Sequence, residues 1–379
     1  MNDVGPIELD FPEYYWQALQ ELGYVQVNSK ILLKLSARFG EDAARFAATQ
    51  QTLRKKGIAK FSRAANMVFE AEALEQATHE RVAQYRALKF PEGVKIDDLT
   101  CGIGGDLMAI ANNRDASGFD VDAGRLKCAH HNLKVYDLRA NLRNEDAMES
   151  EWNFAYAIAD PSRRVTGKRV WNPSDFQPNP ILLASRMSDL LLGAIKLSPL
   201  LSDQFLQSLS PNLEFISLGR ECREVVAWIG KESKPGIWAT HVESGESLMR
   251  STVLCQITDP PKRFIYEADP AVIRAHGLSH FKMDQLGEIP GYLTSNRPET
   301  SPWLAGFEVV SGPIKNEVEL KKELQRFGSS SPVIKARSNQ VSVLNLSSKL
   351  KLQGKKDCVV IAYDVGKSLR FLIAQRILG

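Results

Sequence analysis

The chain predicts an α/β protein built on a doubly wound parallel sheet, with a helical region before it and a small α+β domain after it. Three observations carry this expectation. Short apolar runs alternate with helical stretches from Val94 onward, a glycine-rich turn follows the first run, and carboxylates close the runs that come next. Residues 1–90 read as helical: Ile31, Leu32, Leu33 and Leu35 recur at helical spacing, and Thr52–Ala87 is rich in helix formers. Pro91-Glu92-Gly93 is turn chemistry that ends this region. A strand is expected at Val94-Lys95-Ile96, a helix over Asp106–Asn112, a strand over Ala116–Val121, a helix over Ala123–Tyr136 and a strand over Phe154–Ala159. Leu213–Leu218, Val225–Ile229 and Thr252–Ile257 are further strand candidates, some of them suited to an antiparallel edge. Tyr266–Arg297 carries many turn residues and reads as a connection. After it come a strand from Phe307, a charged helix over Val318–Phe327 and strands at Val333–Ala336, Val341–Leu346 and Val359–Tyr363. The expected division is a helical region (1–90), a Rossmann-like domain (91–275), a connecting segment (276–309) and an α+β domain (310–379).

The apolar share of 44% and charged share of 25% are those of an ordinary globular protein. The longest apolar candidate, Ile181–Leu201, is interrupted by Arg186, Asp189 and Lys196, so no membrane span is expected. The first residues lack the apolar core of a signal peptide. Five cysteines without a Cys-x-x-Cys pair argue for a reducing, cytoplasmic setting and against a disulfide framework or a cysteine zinc site. His130-His131 has no second ligand pair beside it, and no metal is expected. The formal net charge is +3, unevenly placed: Val310–Gly379 holds 13 Lys and Arg against 5 Asp and Glu. A second basic cluster comprises Arg54, Lys55, Lys56, Lys60 and Arg63. A basic end on an otherwise acidic chain points to a polyanionic partner, nucleic acid first.

The central motif is Asp97-Asp98-Leu99-Thr100-Cys101-Gly102-Ile103-Gly104-Gly105-Asp106. Strand, glycine turn and helix in succession let a ligand approach the backbone and the free N–H groups of a helix start. A dinucleotide fingerprint needs a third glycine where Leu107 stands. Asp98, four residues before Gly102, suits a cationic amino-acid moiety better than a pyrophosphate. S-adenosylmethionine carries an ammonium and a sulfonium. Asp120 closes the second strand near the offset of a ribose-binding carboxylate, and Asp146 follows the expected third strand, where an adenine amino group is reached. Asp160-Pro161-Ser162-Arg163-Arg164 follows the strand Phe154–Ala159, on the side where a methyl acceptor would stand. Asp160 and the Pro161 carbonyl are placed to orient an acceptor N–H, with Asp160 the nearest base. Arg163 and Arg164 suit a phosphate or carboxylate. No aromatic is offered there to stack a flipped base.

These two motifs resemble bacterial class I methyltransferases that carry a C-terminal THUMP-like domain. Leu74–Ala83, Tyr266–Ala275 and Tyr292–Ser295 are similar to segments of that family as well. The resemblance spans most of residues 50–379 and implies S-adenosyl-L-methionine as cofactor, held by Asp98, Gly102, Gly104, Gly105, Asp120 and Asp146. By analogy with lead-in segments it adds Thr78. Thr100 stands where a glycine is commoner. The resemblance also implies a C-terminal module related to RNA-binding domains. The expectation is therefore a methyltransferase acting on RNA, with RNA held by 310–379 and the Arg54–Arg63 cluster, and with Asp160, Pro161 and Arg163 at the acceptor. Two alternatives stay open: a methyltransferase for a small acidic molecule or a protein, and a non-catalytic RNA-binding protein on a methyltransferase scaffold.

Overall fold

The computed structural model describes residues 8–165, 168–170 and 172–377. The chain divides into two compact units. The first comprises residues up to Leu197 with 201–212 and 226–235, and the second comprises 198–200, 213–225 and 236 onward.

The first unit opens with helices α1 (Glu13–Leu22), α2 (Ser29–Phe39) and α3 (Glu41–Gly57), followed by α4 (Ala71–Gln76) and α5 (Glu80–Ala87). Small residues let α1–α3 pack closely: Ala18, Ala43, Ala44 and Ala47 are buried with Leu22 and Leu35. Asn28 caps α2, its Oδ1 accepting from Ile31 N at 3.0 Å. Then come β1 (Lys95–Asp98), α6 (Gly105–Ala111), β2 (Asp115–Phe119), α7 (Ala123–Val135), β3 (Asn141–Arg143) and β4 (Tyr156–Ala159). A two-strand ladder, β5 (Arg164–Val165) and β6 (Lys168–Arg169), precedes α8 (Pro180–Met187), β7 (Leu192–Leu197) and α9 (Asp203–Leu209).

Strands β1, β2, β3, β4 and β7 pair in parallel, in the order β7-β4-β1-β2-β3. The chain winds outward from β1 to β3 and then returns to place β4 on the other side of β1. That reversal opens a crevice at the carboxyl ends of β1 and β4, the place where open α/β sheets bind ligands. The Rossmann-like fold is therefore as the strand order predicted.

Strands β8 (Asn212–Leu218) and β9 (Glu221–Ile229) lead into the second unit, which continues with β10 (Gly236–His241) and β11 (Glu246–Met249). Its main sheet has eight strands: β12 (Ile257–Thr258), β13 (Phe264–Ala268), β14 (Asp284–Leu286), β15 (Tyr292–Ser295), β16 (Leu304–Ile314), β17 (Val333–Arg337), β18 (Val359–Val365) and β19 (Ser368–Arg376). Helix α10 (Pro270–Arg274) follows β13, while α11 (Glu317–Phe327) and α12 (Val343–Lys349) come later. The spatial order is β12-β14-β15-β13-β16-β19-β18-β17. Leu320 and Leu324 of α11 and Leu346 of α12 share a core with Val360, Ala362, Phe371 and Ile373, one face of this sheet.

Three expectations are corrected here. Val341–Leu346 is not a strand: Ser342 Oγ accepts from Asn345 N at 3.4 Å, and the cap starts a helix despite the β-branched valines. Thr252–Ile257 is mostly loop, because Ser251 Oγ takes the Val253 amide at 3.1 Å and Val253 and Leu254 stay exposed. Tyr266–Arg297, read as a connection, contains two whole ladder strands and part of a third, and they are buried on both faces (Tyr266, and the consecutive Tyr292 and Leu293), so they show no polar–apolar alternation.

Candidate active site

The site is built where β1 ends. Asp97 and Asp98 lie in a strand flanked on both sides, and both are almost wholly buried. Beyond Asp98 the backbone diverges toward each neighbour. Leu99 N donates to Ile158 O at 2.8 Å on the β4 side, and Cys101 N donates to Phe119 O at 2.8 Å on the β2 side. The turn then needs left-handed backbone at Gly102 (φ 54°) and Gly104 (φ 89°). A Cβ on Gly102 would meet nothing within 4 Å, so its backbone faces open space. Asn132 holds the turn from behind, donating to Ile103 O at 2.9 Å and to Val68 O at 3.0 Å.

A cavity of about 500 Å³ occupies the crevice. Of the residues expected from sequence, Thr78, Gly102, Gly105, Asp120, Asp146 and Asp160 line it. Asp98, Gly104, Pro161 and Arg163 are not among the lining residues, and Ser162 stands on the wall instead. Arg163 is exposed and Pro161 buried. The Arg164 side chain lies outside the described residues.

Each acid is held differently. Asp120 accepts from Gly102 N at 2.9 Å and Asp122 N at 2.8 Å, tying the second strand end to the glycine turn. Burial pushes its carboxyl above the usual value, against those two bonds and Arg125. Asp146 accepts from Met148 N at 2.8 Å, which folds Ala147 and Met148 onto the cavity. Among the described residues Asp98 accepts one bond, from Thr100 N at 3.2 Å. Its Oδ2 is buried without a hydrogen-bond partner. Burial, and next the charge of Asp106, push the Asp98 carboxyl well up. A buried carboxylate oxygen without a partner is costly, and a cationic ligand group beside it removes that cost. The donor set fits S-adenosylmethionine: an orphaned acid for an ammonium, open glycine backbone, and Asp120 with lone pairs to spare for hydroxyls.

Several residues that build the cavity escaped the sequence reading. Arg86, fully buried, donates to the Asp106 carboxylate and, at 3.2 Å, to Thr78 Oγ1. Thr78 Oγ1 donates in turn to Asp106 Oδ2 at 3.0 Å. Burial acts to raise the Asp106 carboxyl, but Arg86, Lys196 and Thr78 outweigh it and hold it below the usual value. Lys60 Nζ donates to Leu74 O at 2.8 Å, Glu75 O at 2.7 Å and Ala77 O at 2.8 Å, capping α4 and fixing the segment that brings Thr78 to the cavity. Lys196, read from sequence only as an interruption, donates to Asp160 Oδ2 at 2.5 Å and to Gln76 O at 3.2 Å. Asp160 N donates to Thr100 Oγ1 at 2.6 Å, so the threonine in the glycine turn anchors Asp160. Gln177 closes the wall through a two-bond bridge with Ser162, 2.7 and 3.1 Å. Cys101 is buried, and burial pushes its thiol well up, which leaves it a packing residue.

The basic cluster at Arg54–Arg63 is largely consumed internally. Besides Lys60, Arg54 Nε donates to Met67 O at 2.8 Å and Arg63 donates to Val135 O at 2.6 Å, leaving Lys55 and Lys56 exposed. Among the described residues no helix is long and apolar enough to cross a membrane.

Residues 94–155 match the family model described as RNA cap guanine-N2 methyltransferase. An uncharacterized S-adenosylmethionine-dependent methyltransferase of Mycobacterium tuberculosis, found in strains CDC 1551 and H37Rv, is 29% identical over 350 residues, covering 88% of this chain and 96% of its own. A solved structure from Porphyromonas gingivalis W83, provisionally assigned as a methyltransferase, superposes with a TM-score of 0.80. It is 19% identical and covers 98% of this chain and all of its own. Relatives and fold together give the class: this protein is an S-adenosylmethionine-dependent methyltransferase with a Rossmann-like fold. Its cofactor is S-adenosyl-L-methionine.

Proposed function

We propose that the enzyme transfers the methyl group to RNA. The observation that carries the transfer is a single cavity lined both by Asp120 and Asp146 and by Asp160. The cofactor supplies an electrophilic methyl on a sulfonium. The protein's own residues position it: Asp98 takes the amino group, Gly102, Gly104 and Gly105 give backbone access, Asp120 takes ribose hydroxyls, and Asp146 and Thr78 complete the wall. Asp160 orients the acceptor and accepts its proton, with Lys196 fixing one carboxylate oxygen, while the Pro161 carbonyl and Arg163 steer the acceptor's approach. The description of the matching family model and the basic balance of Val310–Gly379 support RNA as acceptor. In this reading 310–379 is a THUMP-like module that holds the phosphate backbone, and the enzyme works in the cytoplasm. The test is tritiated methyl transfer from S-adenosylmethionine into total RNA, protein extract and metabolites in parallel, with Asp160→Ala as control. Label in RNA that the control abolishes is the expected result. Label confined to protein or metabolites overturns the RNA assignment.

A further inference from the structure

The second unit holds a cavity of its own, about 610 Å³, on the sheet face opposite α11 and α12. Alternation places its residues. Register pairs Val333 with Val359, Phe307 with Arg376, and Glu267 with Ala305, so these side chains share one face. The same face is apolar at Ile265, Phe307, Val359 and Ile361. Yet its alternate positions at the β17 and β19 ends are Lys335, Arg337 and Arg376, with Arg220 joining from the β8–β9 turn.

Two acids face these four cations, Glu267 and Asp357. Glu267 is taken: Lys335 Nζ lies 2.6 Å from its Oε2, and Arg220 donates to its backbone carbonyl at 2.9 Å. Asp357 accepts from Ser330 Oγ at 3.3 Å. Arg337 and Arg376 make no ion pair among the described residues. The Arg337 side chain packs over Gly291: a Cβ there would stand 2.7 Å from its Nε, so glycine is what admits the guanidinium. Beside it the Tyr292 hydroxyl is buried without a hydrogen-bond partner, and the charges acting on it are Glu267 and Arg337. Four cations against two carboxylates, with Arg337 and Arg376 outside any ion pair among the described residues, leave the cavity net positive over an apolar floor, which calls for an anion with several acceptor oxygens.

We propose that this cavity binds a phosphate group, gripped by Arg337 and Arg376 and presented by an RNA chain. The RNA source rests on the proposed function; the phosphate chemistry does not. The test compares the full-length protein with R337Q/R376Q. One arm titrates a fluorescein-labelled single-stranded RNA oligonucleotide at several salt concentrations, and the other measures adenosine monophosphate binding by calorimetry. S-adenosylhomocysteine affinity and the thermal melt confirm that the variant is folded. RNA affinity is expected to fall about tenfold or more. The salt slope is expected to shrink by about 0.7, one phosphate contact on a single strand. If RNA binding is absent or unchanged but the variant abolishes nucleotide binding, the phosphate site stands with a free nucleotide as its source, and in the absent case the RNA reading fails. If neither ligand distinguishes variant from wild type, the site is overturned, and RNA binding by the wild type then stands by itself.

Discussion

Replacing Arg86 by Met should destabilise the first unit by about 3 kcal/mol, the lower end of the range for breaking a buried ion pair. The Arg86 side chain is 0% exposed and Asp106 only 13%. Removing the guanidinium strands Asp106 beside Asp98 and takes away the donor to Thr78 Oγ1. An exposed pair would contribute about 0–1 kcal/mol instead. Asp106 also lines the cavity of the first unit, where water reaches it, and this favours the lower end. Hydrogen exchange of the α5 and α6 amides reads this unit without assuming two-state unfolding of the whole chain. The pH dependence is a second check. Arg86 holds the folded Asp106 carboxyl below its usual value, so the stability it confers is present above pH ~4 and is lost as pH falls toward the folded value. Without Arg86, burial and Asp98 push the same carboxyl up, and the variant then loses stability as pH rises above ~4. The gap between the two proteins should therefore be widest near neutrality and close in acid. Arg86→Met with Asp106→Leu removes the stranded charge and should recover most of the stability. A cost below about 1 kcal/mol, or a gap independent of pH, would refute the buried-pair argument.

Asp98→Asn should weaken cofactor affinity by about tenfold. It should also flatten its pH dependence, because burial holds the wild-type carboxyl protonated above the usual range and binding of an ammonium requires it ionised. Calorimetry with S-adenosylmethionine between pH 5 and 9, a range set around the ordinary carboxylate value, decides it, and an unchanged profile in the variant sinks the assignment. Asp160→Asn should lower the methyl-transfer rate about 10²–10⁴-fold while S-adenosylhomocysteine binding stays within about twofold. Equal losses in both would make Asp160 a cofactor ligand instead. Gly118→Ala should cost about 1–3 kcal/mol in the first unit. Its Cβ would stand 2.6 Å from Leu107 Cδ2 and 2.9 Å from Cys101 Sγ, and an unaltered melting curve would show that this packing yields.

Local signals in the chain carried the sheet and the glycine turn. Apolar runs separated by helical spacing set β1, α6, β2, α7 and β4, and two glycines mark where φ turns positive. Acids at strand ends were readable because a parallel sheet sends every carboxyl end to one edge. What the chain hid is non-local. Arg86 meets Asp106 across 20 residues and Lys196 meets Asp160 across 36, and neither basic residue sits in a motif. Lys60 looked like part of a phosphate-binding patch because three backbone carbonyls leave no trace in composition. The valines around Ser342 misled for the opposite reason: propensity was visible, but one capping hydroxyl outweighed it.

Charge placement links the site to its proposed partner. Five acids line the cavity: Asp106, Glu145 and Asp160 are paired with Arg86, Arg143 and Lys196, while among the described residues Asp120 and Asp146 make no ion pair and face it beside Arg125. Such a cavity attracts a sulfonium and repels a phosphate backbone. An RNA acceptor therefore has to be gripped by other parts of the chain, while only its target atom enters the acidic crevice. The same field separates the two forms of the cofactor. S-adenosylmethionine carries one more positive charge than S-adenosylhomocysteine and should bind more tightly, with a preference that shrinks as salt screens the exposed acids. Competition calorimetry at low and high salt reads that preference directly. If the product form binds as tightly as the methyl donor at low salt, the acids are not steering the sulfonium, and their role reduces to holding hydroxyl and amino groups.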